Sequence, residues 1–175
     1  TVIGMNKKTS LYNAVFTNAF NAHVAELDDG HRYAALHPGT PIISVLLSLL
    51  EDKRISPGDF IKGLIIGYEV AIILGRTIQP YHKQKGFHAT GTCGTIGAAI
   101  AVGVAMGFSK EQLKNALSAA ATSASGLLEV IEDSSELKPF NIGKAALNGL
   151  ISALIGYSGF MSPEDILGGK RGFFS

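Results

Sequence analysis

The sequence has no tryptophan, a single cysteine and few charged residues. Of its 175 residues, 17% are charged, 46% are hydrophobic and 21 are glycine. Cys93 has no partner for an internal disulfide and no neighbouring cysteine for a metal site, which favours a reducing compartment. We therefore expect a cytoplasmic protein, or an organellar one in a eukaryote. The low charge also indicates that some apolar surface contacts another domain or subunit.

The chain lacks both a charge excess and a long apolar run. Fifteen basic and fourteen acidic side chains give a formal net charge of +1, so no overall field favours nucleic acid or an anionic membrane. The two most apolar stretches, 63–75 and 95–108, are shorter than the roughly 18–20 apolar residues of a membrane span. The chain opens on Thr1 without a basic, apolar leader, as a processed or excised segment would.

The spacing of apolar residues predicts a single all-α domain. Steps of three and four residues predict a first helix between Ser10 and Leu27. No stretch shows the alternation of a strand, and Ser56-Pro57 and the Ser109/Gln112 pair are helix start signals. We expect helices paired antiparallel by short loops. Five further helices are predicted, at about 40–51, 57–78, 90–106, 110–123 and 142–157.

The first of three polar clusters follows the first predicted helix. Glu26, Asp28 and Asp29 lie close in sequence to His31 and His37. A carboxylate beside an imidazole suits proton transfer, because an imidazole with a pKa near ~6.5 serves as acid or base. A solvated loop without function explains the same residues, and that alternative stays open. Metal binding is less favoured, because the histidines lack the regular spacing of ligands on a helix.

Two further clusters stand at predicted helix starts. His88 precedes a helix that Thr90 or Thr92 would cap, and the N–H groups there suit a substrate carboxylate. A plain capped helix beside a surface histidine is the alternative. Lys138 and Asn141 precede the last helix, where a lysine opposes the helix dipole unless an anion lies beside it. A solvated lysine is the ordinary alternative.

These clusters resemble, in the same order, three motifs of the MmgE/PrpD family. The stretch 21–29 with His37-Pro38-Gly39 resembles N-G-x-x-H-x-x-D-x-D-D followed by H-P. Residues 86–99 resemble G-x-H-x-T-x-x-x-G-x-x-G-A-A, and residues 138–149 resemble K-x-x-x-x-G-x-A-A-x-x-G. The family includes 2-methylcitrate dehydratase and cis-aconitate decarboxylase. Three ordered blocks over nearly the whole chain are far more specific than one.

The resemblance implies a fold, a chemistry and partners. Residues 1–175 would form the helical-bundle-like core of a large all-helical domain, with the first helices and a smaller lid domain outside this chain. Family members act on small di- and tricarboxylates by dehydration, decarboxylation or epimerisation, without a metal or organic cofactor. We expect a homodimer with a role in propionate metabolism, and no nucleic-acid or membrane partner.

The resemblance also implies roles for individual residues. His88 and His37 match catalytic histidines, and Lys138 matches a substrate-binding lysine. Asp28 and Asp29 match the paired aspartates of the catalytic loop, which more plausibly hold that loop and orient the histidines than abstract protons.

The remaining implied site residues are substrate-binding. They are Glu26, Thr90 and Asn141. Glu26 stands where members commonly have Asp, Gly30 where some have Thr, and Asn141 where His is frequent, so the substrate is expected to differ. We predict a 2-methylcitrate dehydratase-like lyase, or its helical domain. A decarboxylase or epimerase is the alternative within the class, and a non-catalytic module for dimerisation or carboxylate binding is the alternative outside it.

Overall fold

The fold consists of helices, as the sequence predicts. The computed structural model describes residues 1–5, 7–133 and 135–175, which contain seven α-helices, one 3₁₀ helix and no strand. The 3₁₀ helix, Leu128–Ile131, lies between α6 and α7. In chain order, α1 to α7 are Leu11–Val24, Gly39–Glu51, Pro57–Ile78, Tyr81–Gln84, Ala89–Ala105, Lys110–Ser123 and Lys138–Tyr157.

Serine side chains begin three of the long helices. Ser10, Ser56 and Ser109 each accept a hydrogen bond from the backbone N–H three residues later, at the starts of α1, α3 and α6. Gln112 completes the capping box by accepting from the N–H of Ser109. These contacts satisfy N–H groups that a helix start would otherwise leave without a partner. The predicted start signals at Ser56 and Ser109 are confirmed.

Helix α5 lies at the centre of the fold. All of its 17 residues except Val104 are buried, and α5 packs against α2, α3, α6 and α7. Glycine permits the closest of these contacts. A Cβ atom on Gly97 would lie 2.8 Å from the Cβ of Ala71 and 2.9 Å from the carbonyl oxygen of Gly67, both on α3. The close backbone approach that the glycines predict is therefore confirmed at this crossing.

Two predicted details near the first and second clusters are wrong. Helix α1 ends at Val24, so Leu27 is 90% exposed and contributes nothing to the core. Helix α5 begins at Ala89 after His88, with no side-chain cap, so neither Thr90 nor Thr92 caps it. Both hydroxyls lie within the first turn and bond elsewhere, Thr90 to the N–H of His37 and Thr92 to the ring of His82.

Other element boundaries also differ from the prediction. Helix α7 begins at Lys138, one turn earlier than expected, because Pro139 is tolerated in the first turn of a helix. The four-residue helix α4 lies in a segment, 79–87, that is predicted as a loop, and the 3₁₀ helix lies between the fifth and sixth predicted helices.

Apolar side chains remain on the outer face of α3. Ile61, Ile65 and Ile73 are each more than half exposed, in keeping with the low charge of the sequence. No helix of the described residues is long and apolar enough to cross a membrane. The homodimer stays a prediction.

Candidate active site

The three predicted clusters meet at one cavity of about 480 Å³. His37 precedes α2, His88 precedes α5 and Lys138 is the first residue of α7, and all three side chains line this cavity. Glu26 from the turn after α1 and Lys83 from α4 line it as well. Segments more than 100 residues apart in sequence thus supply two imidazoles, two ammonium groups and one carboxylate.

Glu26 and Lys138 form an ion pair at this cavity. The Lys138 Nζ atom donates to Oε1 of Glu26 at 2.7 Å, across 112 residues of sequence. The hydrogen bond and the charge of Lys138 lower the pKa of Glu26. Glu26 reaches this position through a left-handed backbone conformation, with φ of 49°. The anion that offsets the unfavourable position of Lys138 at a helix start is therefore the Glu26 carboxylate of the same chain.

The environment of His37 determines which of its ring nitrogens is available. Its Nδ1 atom lies 2.7 Å from the carbonyl oxygen of Asp29 and 3.5 Å from Oδ2 of Asp28. A carbonyl oxygen only accepts hydrogen bonds, so Nδ1 of His37 carries a proton. In the neutral ring, Nε2 is then the nitrogen without a proton. The backbone N–H of His37 donates to Thr90 Oγ1 at 3.1 Å, which holds the residue against the start of α5.

Asp28 supports the histidines from behind the cavity wall. Its Oδ2 atom lies 2.7 Å from Nδ1 of His23 and accepts from the Thr40 hydroxyl at 3.0 Å. Burial raises the pKa of Asp28, but the hydrogen bonds from His23 and Thr40 together with the nearby charges of His23 and His37 lower it overall. Asp28 does not line the cavity with His37 and is fixed as an ionised hydrogen-bond acceptor.

Asp29 holds the loop to the helices. Its carboxylate accepts from the N–H of Gly39 at 3.0 and 3.2 Å, which caps α2. The hydroxyl of Tyr68 on α3 lies against the same carboxylate, and burial followed by the charge of Asp29 raises the pKa of Tyr68. Asp29 also lies outside the walls of the cavity. Both aspartates are thus situated to hold the loop and to orient His37.

His23 is a further residue of the site that the sequence analysis did not select. It is fully buried, and the centre of its ring lies 4.9 Å from that of His37. The available signal was its position five residues before Asp28 in the first block. Only the turn after α1 brings its Nδ1 atom to the Asp28 carboxylate.

His88 is buried, whereas His37 is partly exposed. Burial, followed by the positive charge of Lys138, lowers the pKa of His88 to about 4. This imidazole is therefore neutral near pH 7. Its Nδ1 atom lies 3.3 Å from Nδ2 of Asn141, a buried residue in the first turn of α7. Asn141 and Thr90 do not line the cavity, and each contacts one of the two histidines instead.

Comparison with known proteins identifies the family. A model of the MmgE/PrpD N-terminal domain matches residues 1–175. The chain belongs to the MmgE/PrpD family. It is 30% identical over 179 residues to a cis-aconitate decarboxylase of Aspergillus terreus, covering 99% of this chain and 36% of that protein. It is 27% identical over 165 residues to the human and mouse cis-aconitate decarboxylases, covering 91% of this chain and 34% and 33% of those proteins. The chain spans about a third of the length of these relatives.

In this MmgE/PrpD domain, two helices begin at the cavity without a side-chain cap. Helix α5 starts beside His88 and α7 starts at Lys138, and neither N-cap residue provides a side-chain hydrogen bond. The serine-capped helices α1, α3 and α6 differ in this respect. Unpaired N–H groups and the positive end of a helix dipole attract anions. The helix ends and the two lysines therefore make the cavity suited to carboxylates.

Three side chains near the cavity bring metal-ligand atoms close together. Ligand atoms of His23, Asp28 and His37 lie within 4.8 Å of one another. A metal on Nδ1 of His37 would displace the proton that bonds the Asp29 carbonyl oxygen at 2.7 Å. Asp28 Oδ2 also accepts from the Thr40 hydroxyl. The donors and acceptors around these atoms therefore fit a hydrogen-bonded network better than a metal site.

Proposed function

We propose that this MmgE/PrpD domain supplies the substrate-binding and acid–base groups of a lyase that acts on a small di- or tricarboxylate. The observation that carries the proposal is the convergence of His37, His88 and Lys138 on one cavity. Its volume of about 480 Å³ lies within the ordinary range for small-molecule sites. The relatives named cis-aconitate decarboxylase favour decarboxylation over the other reactions of the family.

Substrate binding is assigned to Lys138 and the starts of α5 and α7. A substrate carboxylate would replace that of Glu26 on the Lys138 ammonium group, while a second carboxylate would meet the N–H groups at the start of α5. Charge-assisted hydrogen bonds of this kind are the stronger ones in proteins. They would also stabilise negative charge that develops near the reacting carbon.

Proton transfer is assigned to Nε2 of His37. In a decarboxylation, the bond from carbon to a carboxylate breaks, carbon dioxide leaves, and the electron pair spreads over the neighbouring double bond and carboxylate. A proton from protonated His37 then reaches carbon, and His37 regains a proton from water. The Oδ2 atom of Asp28 lies 3.5 Å from Nδ1 of His37, close enough to help orient the ring during this transfer. In a dehydration of the 2-methylcitrate type, neutral His37 would first remove a proton beside a carboxylate, and the hydroxyl group would leave as water after taking that proton back from His37.

Substitution of Lys138 tests the binding step. In a full-length protein that contains this domain, we expect Lys138→Gln to raise KM for cis-aconitate by roughly 10- to 100-fold, because a charge-assisted hydrogen bond is lost. Lys114→Gln is the matched control, since Lys114 forms a similar ion pair with Glu164 at 3.2 Å and does not line the cavity. Steady-state kinetics measure both variants. Equal KM values in the two variants would remove Lys138 from substrate binding.

Product analysis distinguishes the reactions and the alternative outside the enzyme class. Nuclear magnetic resonance of mixtures with cis-aconitate and with 2-methylcitrate reports loss of carbon dioxide or of water. Isothermal titration with the same compounds reports binding. Binding without turnover in the full-length protein would favour the non-catalytic carboxylate-binding module.

A further inference from the structure

Asn141 and His88 make a buried contact behind the cavity wall. Asn141 is 3% exposed and His88 is 5% exposed. The Nδ2 atom of Asn141 lies 3.3 Å from Nδ1 of His88 and 3.2 Å from the carbonyl oxygen of Leu127. One amide nitrogen thus faces two different partners from inside the protein.

The Leu127 contact fixes the orientation of the amide. A carbonyl oxygen only accepts, so the group of Asn141 that faces Leu127 is the NH₂ group. A flipped amide would put two oxygens against each other in a buried position, at a cost of about 1–3 kcal/mol for the unpaired groups. Since the same NH₂ group faces His88, Nδ1 of His88 is a hydrogen-bond acceptor and carries no proton.

Burial, followed by the charges around His88, keeps its ring neutral. Lys138 and Lys144 on α7 disfavour a positive charge on this buried imidazole, and so do His23 and His37. Glu26 is the acidic side chain on the same cavity, and it is paired with Lys138. A neutral imidazole holds one proton, and with Nδ1 unprotonated that proton is on Nε2.

We propose that Asn141 is a positioning residue that fixes His88 as the Nε2–H tautomer, so that His88 presents a hydrogen-bond donor to the cavity. The role of that donor, to stabilise a substrate carboxylate or developing negative charge, rests on the proposed function, whereas the tautomer does not. His37 has the opposite arrangement, with its proton on Nδ1. Two histidines of one cavity thus present a donor and an acceptor.

Nitrogen-15 spectra of the histidine rings test the tautomer directly. In the wild-type protein near pH 7, we expect the signals of His88 to report an unprotonated Nδ1 and a protonated Nε2. A His88→Asn variant assigns these signals by their loss. Observation of a protonated Nδ1 on His88 would overturn the proposal.

Asn141→Asp tests the role of Asn141. A carboxylate only accepts hydrogen bonds, so we expect Nδ1 of His88 to become protonated and the pKa of His88 to rise by about one unit or more. Asn115→Asp is the matched control. Asn115 is also buried, and its Oδ1 accepts from the N–H of Ser162 at 3.1 Å, a bond that Asp retains. We expect its His88 signals to match those of the wild type. Unchanged His88 signals in Asn141→Asp would contradict the proposal.

A neutral variant covers the case in which Asn141→Asp does not fold. Asn141→Leu removes the donor without adding charge, and we expect a larger share of the Nδ1–H tautomer at His88. A tautomer that stays wholly Nε2–H in this variant would exclude Asn141 as its determinant. Kinetics of the full-length protein are a separate readout. If the spectra are as expected but the full-length protein shows no turnover, the proposed function would be contradicted. The tautomer assignment would not be affected.

Discussion

At the scale of single residues, the two histidines of the cavity have contrasting surroundings. His37 is partly exposed and bonds the Asp29 carbonyl oxygen beside an ionised carboxylate, whereas His88 is buried among positive charges. These contrasting surroundings support the proposed division of roles, in which His37 transfers protons and His88 donates a hydrogen bond as a neutral group.

Loss of the His37 imidazole should reduce the rate and not the affinity. We expect His37→Gln to lower kcat by roughly 10²- to 10⁴-fold, the usual contribution of general acid–base catalysis, with a much smaller change in KM. His31→Gln is the control from the same loop. His31 accepts a hydrogen bond from the N–H of Ala34 and does not line the cavity. Equal kcat values for the two variants would exclude His37 from proton transfer.

The lowered pKa of His88 predicts a pH dependence of stability. The folded protein holds this group neutral down to about pH 4, whereas the unfolded chain binds the proton near ~6.5. The unfolded state therefore binds more protons between these values, and stability falls as pH falls through this window.

Urea unfolding of the wild type and of His88→Asn measures this effect. Between about pH 7.5 and about pH 5, we expect the wild type to lose about 2 kcal/mol more than the variant. Other titrating groups contribute equally to both proteins and cancel in the comparison. Parallel losses would show that His88 does not keep a lowered pKa in the folded protein.

The sequence places His37, His88 and Lys138 near helix starts and within three ordered motifs of one family, but it does not show which atoms bond. The structure brings these three residues to one cavity. The hydrogen bond of Asn141 to His88 joins residues 53 positions apart and depends on the rotation of an amide group. Leu27 fitted the apolar period of α1, but the turn at Glu26 takes it into solvent.

At the scale of elements, the crossing of α3 and α5 depends on glycine. We expect Gly97→Ala to destabilise the protein by about 1–3 kcal/mol, because the added methyl group would overlap Ala71 and the carbonyl of Gly67. Gly58→Ala is the control, since Gly58 is exposed in the first turn of α3 and a Cβ there meets only Ser56 Oγ at 3.8 Å. That variant should be neutral or more stable by up to about 1 kcal/mol. Chemical denaturation measures both, and equal stabilities would contradict a tight crossing.

The long helices were predictable because their signals are local. Ser56 and Ser109 mark helix starts within three residues, and apolar spacing marks the buried faces. Helix α4 has only four residues, too few to display a 3.6-residue period. Helix α7 starts one turn earlier than predicted because Pro139 fits the first turn of a helix, and α5 starts one residue earlier, at Ala89.

At the scale of the whole molecule, the positive charge at the cavity is local and does not reflect the net charge of the chain. The net charge is only +1, while two lysines and two helix starts face the cavity. The Glu26 side chain is 58% exposed, so water reaches this side of the cavity. The curated relatives have about two thirds of their length outside the matched region.

These facts predict a separation of binding from turnover. We expect residues 1–175 alone to bind cis-aconitate, and a longer protein with the remaining family length to turn it over roughly 10²-fold faster, because exclusion of water strengthens electrostatic stabilisation. Calorimetry measures the binding and product analysis measures the rate. Equal rates in the two proteins would show that the 175 residues are sufficient for catalysis.

The ion pair between Glu26 and Lys138 affects which anions can bind, according to how many charged groups each anion carries. A chloride or acetate ion that displaced the Glu26 carboxylate would make one contact with Lys138 and break one similar contact, that between Lys138 and Glu26. A dicarboxylate or tricarboxylate makes the same exchange and still has a carboxylate left for the start of α5. Under the proposed function, the Glu26 carboxylate would therefore disfavour monovalent anions and leave Lys138 available to polyvalent ones.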